Sequence, residues 1–286
     1  MRIGVHVPVS GGLVRAARRA RYLKLDCLQI FARNARGWQG RRYSPDEIAR
    51  FRAILDRNRV GPLVVHSCYL VNLASPDPGL RGRSLAAVAD DMERGALLGA
   101  TSVVFHTGHH MGEGITAGLR TLARSLRALL ASGPPSIELL LENSVGRGSE
   151  LGRDWHEFAQ LLDLLHGEQR VGVCFDTCHA HAAGYRLDSG QGVARAMGSF
   201  KAALGLARLR LIHLNDSRAP AASHQDLHEH IGRGTIGDKG FRAWLRRREL
   251  RGSCAILETP LARPSDDLRN VRHVRALLRG PSPPFN

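Results

Sequence analysis

The sequence predicts a single-domain α/β fold, a (β/α)8 TIM barrel with its functional site at the C-terminal ends of the strands. Three observations predict it. Eight short runs rich in β-branched and aliphatic residues recur along the 286 residues. Patterns with helical spacing separate them. The runs start about 25 to 45 residues apart, which leaves room for one strand, one helix and two loops.

In chain order, RIGVH (2–6) is the first strand, and a helix over 12–23 follows Ser-Gly-Gly. DCLQIF (26–31) precedes SPDEIARFRAILDRN (44–58), whose Ser-Pro start places a cap residue and a first-turn proline where a helix begins. PLVVH (62–66) leads to a helix over 84–99 that ends near Gly99, and TSVVFH (101–106) to one over 116–132. SIELLLE (136–142), RVGVCFD (170–176) and LRLIHLND (209–216) are followed by helices over 154–166, 193–206 and 238–250, and SCAILE (253–258) is the eighth strand. Continuous apolar strands of this kind are buried on both faces, as in a parallel sheet. Neither an internal repeat nor a domain linker interrupts the series. The barrel is expected over 1–280, with PSPPFN (281–286) as a short tail.

Composition narrows the function classes. The chain carries 41 basic and 26 acidic residues, a formal charge of +15, which favours a polyanionic partner such as nucleic acid. Only Lys24, Lys201 and Lys239 are lysines. The stretches RAARRARYLK (15–24) and WLRRREL (244–250) are read as solvated helix faces, with phosphate contact as the alternative. Five scattered cysteines, with CxxxC as the closest pair, suit reduced buried thiols better than a disulfide framework or a zinc ribbon. A soluble cytoplasmic protein without a membrane partner is expected, because no apolar run approaches ~20 residues and MRIGVHVPVSGG does not read as a signal peptide. No GxxxxGK[ST] or GxSxG element occurs, and no GxGxxG in its strand context, so nucleotide-dependent transfer and serine hydrolysis are disfavoured.

The ionisable residues carry the functional signal. His66, His106, Glu142, Asp176, His213 and Glu258 each stand at or beside the end of a predicted strand. In a barrel those ends converge on the mouth. A lone histidine there would be read as a hydrogen-bonded core residue. Carboxylates gathered with it in a half-buried mouth repel and lose hydration unless cations neutralise them. DTCH adds His179, and DLH adds Asp226 and His228 two residues apart on an extended loop. Five imidazoles and four carboxylates suffice for two or three ions, zinc or manganese by ligand type, whereas magnesium takes mainly oxygen. Three divalent ions against the four carboxylates leave about +2, which suits a phosphodiester.

Nine stretches together resemble the endonuclease IV family of apurinic/apyrimidinic endonucleases. They are HVPVSGG (6–12), FARNARGW (31–38), HSCYLVNLASP (66–76), FHTGHH (105–110), LLENSVGRGSELG (140–152), GVCFDTCHAHAAGY (172–185), IHLNDS (212–217), DLHEHIGRGTIG (226–237) and LETP (257–260). The resemblance implies three zinc ions per chain, with manganese as an alternative at one or more positions. His66, His106 and Glu142 would hold the first, Glu142, Asp176, His213 and Glu258 the second, and His179, Asp226 and His228 the third. It implies hydrolysis of the phosphodiester 5′ to an abasic site in double-stranded DNA, leaving a 3′-hydroxyl and a 5′-deoxyribose phosphate, and removal of blocking groups from 3′ ends. Glu142 or Glu258 would assist deprotonation of the attacking water, and Asn34, Arg36 and Tyr69 match DNA-penetrating positions. A monomer is expected.

Thr107, His181 and Arg233 depart from the family pattern, which often has proline, an apolar residue and an acid there; His181 could perturb the third zinc and Arg233 could strengthen phosphate attraction. His109, His110, His181 and His230 are expected to hydrogen-bond or pack loops. Two other functions compete: a sugar isomerase or epimerase on a similar metal-binding barrel, and a module that binds damaged DNA without cutting it. The DLH pair, the penetrating residues and the positive charge disfavour the first, and the complete ligand set disfavours the second.

Overall fold

The computed structural model describes residues 1–279. The expected tail lies outside them. Eight parallel strands form the barrel: β1 (Arg2–His6), β2 (Cys27–Phe31), β3 (Leu63–His66), β4 (Ala100–His106), β5 (Glu138–Glu142), β6 (Val171–Asp176), β7 (Leu209–His213) and β10 (Cys254–Leu257). They close in the order β1-β10-β7-β6-β5-β4-β3-β2. Around them run α1 (Leu13–Tyr22), α2 (Pro45–Arg57), α3 (Pro78–Leu98), α4 (Ile115–Ser132), α5 (Trp155–Leu164), α6 (Thr177–Ala183), α7 (Gly190–Leu204), α8 (Gly237–Leu245) and α9 (Asp266–Arg279). The predicted (β/α)8 barrel is the observed fold. Among the described residues, no helix is long and apolar enough to cross a membrane.

Several elements differ from the sequence reading. Helix α3 begins at Pro78, six residues before the predicted start, because the Asp77 carboxylate caps it, accepting from the backbone N–H of Gly79 and Leu80 at 3.2 and 2.8 Å. Helix α6 springs directly from β6, with Asp176 accepting from the His179 N–H at 2.7 Å and Gly184 ending it in the left-handed region. The predicted strand 209–216 stops at His213, and Asp216–Ser217 (β8) instead pairs antiparallel with His228–Glu229 (β9). The helix expected over 238–250 ends at Leu245, before a separate 3-10 turn at Arg248–Leu250. Beyond the last barrel strand, α9 completes the eighth unit and buries Val271, Val274 and Leu277.

Alternation along the strands places the site. The interior of the barrel is filled by Cys27, Val64, Val104, Leu140, Cys174, Leu211, Cys254 and Ile256. Side chains two apart on a strand share a face. Two residues beyond seven of these stand Gln29, His66, His106, Glu142, Asp176, His213 and Glu258, and His6 stands in the same relation to Gly4 on β1. Every barrel strand thus delivers one polar side chain to the layer above the apolar interior. All five cysteines are buried free thiols.

Gly4 is the residue this interior cannot enlarge. A Cβ there would lie 2.5 Å from the Cys27 carbonyl oxygen and 2.6 Å from Ile256 Cδ1. Gly4→Ala is expected to destabilise the chain by about 1–3 kcal/mol, read as a lower urea midpoint at unchanged m-value.

Candidate metal centre

The nine candidate residues meet at one mouth, in three groups whose ligand-type atoms lie within 4.8 Å of one another: His66, His106 and Glu142; Glu142, Asp176, His213 and Glu258; His179, Asp226 and His228. Glu142 stands at the centre. Its Oε2 is 3.3 Å from His66 Nε2 and 3.4 Å from His106 Nε2, while Oε1 is 2.9 Å from His213 Nδ1. Asp226 Oδ1 lies 3.1 Å from His179 Nε2 and 3.2 Å from His228 Nε2. A fourth group joins Cys178 to Asp176 and His228. Burial, with Asp176 nearby, pushes the Cys178 thiol up to about 12, so it stays protonated and offers a poor donor.

Hydrogen bonds at the outer ring nitrogens set which lone pairs face inward. His66 Nδ1 is 2.6 Å from the Ser67 carbonyl, His179 Nδ1 2.9 Å from the Asn143 carbonyl, and His228 Nδ1 3.0 Å from the Glu258 carbonyl. A carbonyl only accepts, so each Nδ1–H donates and each Nε2 turns its lone pair to the mouth. His213 is reversed. The Gln29 amide nitrogen donates to Glu258 Oε1 at 2.7 Å, which leaves its oxygen 2.9 Å from His213 Nε2. His213 Nε2–H therefore donates to Gln29 within the layer, and Nδ1 faces Glu142 and Glu258.

The donor set fits a multivalent cation. His179 Nε2 and His228 Nε2 are buried without a hydrogen-bond partner, although both lie close to Asp226. Two lone pairs and a carboxylate aimed at one point repel unless positive charge stands among them. Protons supply that charge in the chain alone. Burial alone would lower His179 and His228; Asp176 and Asp226 raise His179 well above its ordinary value, and mainly through Asp226, His228 is pushed up to about 9. Burial would likewise raise Glu142, yet the His213 and His106 imidazoles hold it well below the usual carboxylate range.

Sequence reading missed two members of this layer, His6 and Gln29. His6 Nδ1 lies 3.0 Å from Glu258 Oε1 and 2.9 Å from the Gln29 amide. His6 does end a predicted strand, whereas Gln29 is not a metal ligand type and gave no signal. Asn215 is also new. Its side chain donates to Asp176 Oδ2 at 2.6 Å and accepts from the Glu258 N–H at 2.8 Å.

Asn34, Arg36 and Tyr69 stand on the rim. Asn34 and Arg36 are exposed, and Asn34 Oδ1 accepts from the Arg36 N–H at 3.0 Å. Tyr69 is 55% exposed, its ring 6.0 Å from that of His106 and 5.5 Å from Phe31. Its N–H donates to the Ala35 carbonyl at 3.0 Å, which joins the two loops. Thr107 donates to the Leu151 carbonyl. His181 Nδ1 accepts from the Leu187 N–H at 3.2 Å, and His110 Nδ1 from the Gly114 N–H at 2.9 Å. His230 Nδ1 is 3.0 Å from the Asn270 amide, His109 pairs by its backbone with Glu150, and Arg233 is exposed. His181 belongs to none of the three groups.

One buried ion pair ties the rim loop to the centre. Arg33, its side chain 1% exposed, donates from Nε to Asp91 at 2.8 Å and from Nη2 to Asp90 at 2.8 Å, and it also holds the Trp38 and Ala87 carbonyls. Asp91 in turn accepts from Ser67 Oγ at 2.6 Å, and the Ser67 carbonyl orients His66. Arg33 reads in the sequence as one more cation among many; only its place just past a strand end hints at burial.

Fold and mouth together define a xylose isomerase-like barrel with a candidate metal-binding cluster at its mouth, and the family described as xylose isomerase-like TIM barrel matches residues 17–279. "Probable endonuclease 4" of Methanoculleus marisnigri is 41% identical over 276 residues, covering 96% of this chain and 98% of that protein. The crystal structure of endonuclease IV from Thermus thermophilus superposes with a TM-score of 0.86 at 35% identity, covering 98% of this chain and 99% of that one. A D-tagatose 3-epimerase-like protein reaches a TM-score of 0.71 at 20% identity over 98% and 97% of the two chains, a likeness of fold alone. The chain belongs to the endonuclease IV family.

Removing Asp91 leaves the Arg33 guanidinium buried with only the half-exposed Asp90. Asp91→Ala is expected to cost about 3–5 kcal/mol, whereas Asp90→Ala, at a carboxylate 40% exposed, costs less than ~1 kcal/mol. Urea denaturation of both variants checks the contrast.

Proposed function

We propose that this chain is a metal-dependent DNA repair endonuclease that hydrolyses the phosphodiester 5′ to an abasic site, leaving a 3′-hydroxyl and a 5′-deoxyribose phosphate, and that also clears blocked 3′ ends. The observation that carries the reading is the set of inward lone pairs and carboxylates at one mouth, where two imidazole nitrogens converge on the single Asp226 carboxylate. Three zinc ions, with manganese as an alternative at one or more positions, would supply Lewis-acid charge and a nucleophilic water at neutral pH. His66, His106 and Glu142 would hold one, Glu142, Asp176, His213 and Glu258 another, and His179, Asp226 and His228 the third.

The chain's own groups do the positioning. Glu142 and Glu258 face the same space and can take the proton of the attacking water. Gln29 and His6 keep the Glu258 carboxylate in place, and the Ser67, Asn143 and Glu258 carbonyls keep three imidazoles in one tautomer. Asn34, Arg36 and Tyr69 on the rim can enter the duplex at the lesion, where no base has to be unstacked and extrusion costs least. All nine ligand-type residues come from one chain, which supports a working monomer, and five reduced thiols with a DNA substrate suit the cytoplasm. The sugar isomerase alternative draws support from the fold only.

A duplex carrying one tetrahydrofuran abasic analogue is expected to be nicked on its 5′ side without a lyase step; ketose–aldose interconversion with no nicking would overturn the proposal. Glu142→Gln should lower turnover about 100-fold or more, with the circular dichroism spectrum retained. Mass spectrometry should find three zinc ions in the purified chain, and His179→Ala should lose one.

Arg36→Ala and Tyr69→Ala should weaken lesion binding more than turnover. If Arg36 meets a phosphate, its loss makes the salt dependence shallower by about one counterion. Unchanged affinity in both variants would remove the rim residues from recognition.

A further inference from the structure

The geometry points to a second nucleic-acid contact, a phosphate-backbone track in the groove between α1 and the chain that follows β10. The inference rests on the endonuclease reading for its ligand and adds where the duplex beside the lesion would run. The groove has a volume of about 560 Å³. One wall includes Val7 and Pro8, which follow His6 directly, and the other includes Leu261 to Pro264, three residues past Glu258. His6 and Glu258 are 3.0 Å apart at the mouth, so both walls are continuations of strands that end there.

Its charge is one-sided. Arg15, Arg18 and Tyr22 stand at i, i+3 and i+7 on α1 and share one helical face. Arg263 lines the groove from the opposite wall, and no acidic residue among the described residues lines it. Among the described residues, Arg15, Arg18 and Arg263 have no carboxylate partner, whereas Arg19 beside them is bound to Asp267 and donates to the Pro264 carbonyl at 3.1 Å. Arg19 thus fastens the two walls together and leaves three guanidinium groups free to face the groove. The stem of Arg15 lies flat on Gly11, where an added Cβ would come within 2.5 Å of Arg15 Cδ. Tyr22, 66% exposed, adds a hydroxyl donor at the far end.

Like charges held in a fixed groove repel one another, and a polyanion removes that repulsion while releasing its own counterions. Contacts of this kind fix register and orientation on a duplex without reading sequence. The occupant proposed is the DNA backbone flanking the cleavage site, held by Arg15, Arg18 and Arg263.

Fluorescence anisotropy with the full chain tests this, using an undamaged duplex and abasic duplexes with short and long flanks over a range of salt concentrations. The Arg15→Ala/Arg18→Ala double variant should flatten the plot of log affinity against log salt by about 2 on the undamaged and long-flank duplexes. Arg263→Ala should flatten it by about 1. The control Arg246→Ala/Arg248→Ala removes the same charge after α8, at the other end of the barrel, and should leave the slope unchanged. An unchanged slope in the groove variants overturns the track, as does an equal loss in the control. Nicking of the abasic duplex with an unchanged slope would sink the track and leave the endonuclease reading standing. Absence of nicking with a flattened slope on undamaged duplex would do the reverse.

Discussion

Burying Glu142 and Asp176 side by side above an apolar barrel interior is unfavourable, and the architecture around the mouth answers that cost. Each carboxylate loses hydration, and each raises the energy of the other. Five imidazoles surround them, and where a ring nitrogen points outward it meets a carbonyl or an amide oxygen. Positive charge must therefore come into the space between the rings and the carboxylates, as protons in the chain alone or as metal ions in the loaded protein. The same demand explains why amide side chains accompany the acids. Asn215 and Gln29 donate to Asp176 and Glu258 without adding charge.

Rigidity at the mouth comes from the covalent regularity of the strands. Period-two alternation sets one polar side chain from each strand above one small or apolar residue, so moving a ligand by one residue would put it among the outer helices. Loops are fastened separately. Arg33 and Asp91 hold the rim loop against α3, and through Ser67 they bear on His66. A buried ion pair of this kind contributes little net stability relative to a well-packed apolar pair. Its consequence is geometric: the exposed Asn34 and Arg36 stand on an immobilised base beside Tyr69.

The barrel strands were legible because parallel strands buried on both faces are written as continuous apolar runs. Helix α9 was not, since Leu268, Val271, Val274 and Leu277 keep helical spacing but are diluted by four arginines and two aspartates. The start of α3 was hidden because Gly79 and Gly82 look like loop, although Asp77 and Pro78 repeat the cap and first-turn proline that mark α2. At the mouth, six histidines and carboxylates at strand ends and three more in the DTCH and DLH motifs could be found by residue type, and the structure brings those nine together. Gln29 could not, because an amide in the middle of a short strand resembles any buried polar residue until its two neighbours are known. His6 was visible as a strand end and lacked only a partner. Contacts such as Arg33 with Asp91 join positions 58 apart, and no local pattern encodes them.

Charge at two length scales then has to agree with one substrate. The surface carries the excess that gives +15 overall, and such a field draws a polyanion from a distance and weakens with salt. Close in, the sign reverses, since Glu142, Asp176, Asp226 and Glu258 would repel a phosphodiester. Cations among those four groups turn the local charge to about +2 on the three-ion reading. On that reading metal loading and substrate approach are linked by electrostatics before any bond is broken: arginines bring the backbone to the rim, and only a charged mouth admits it.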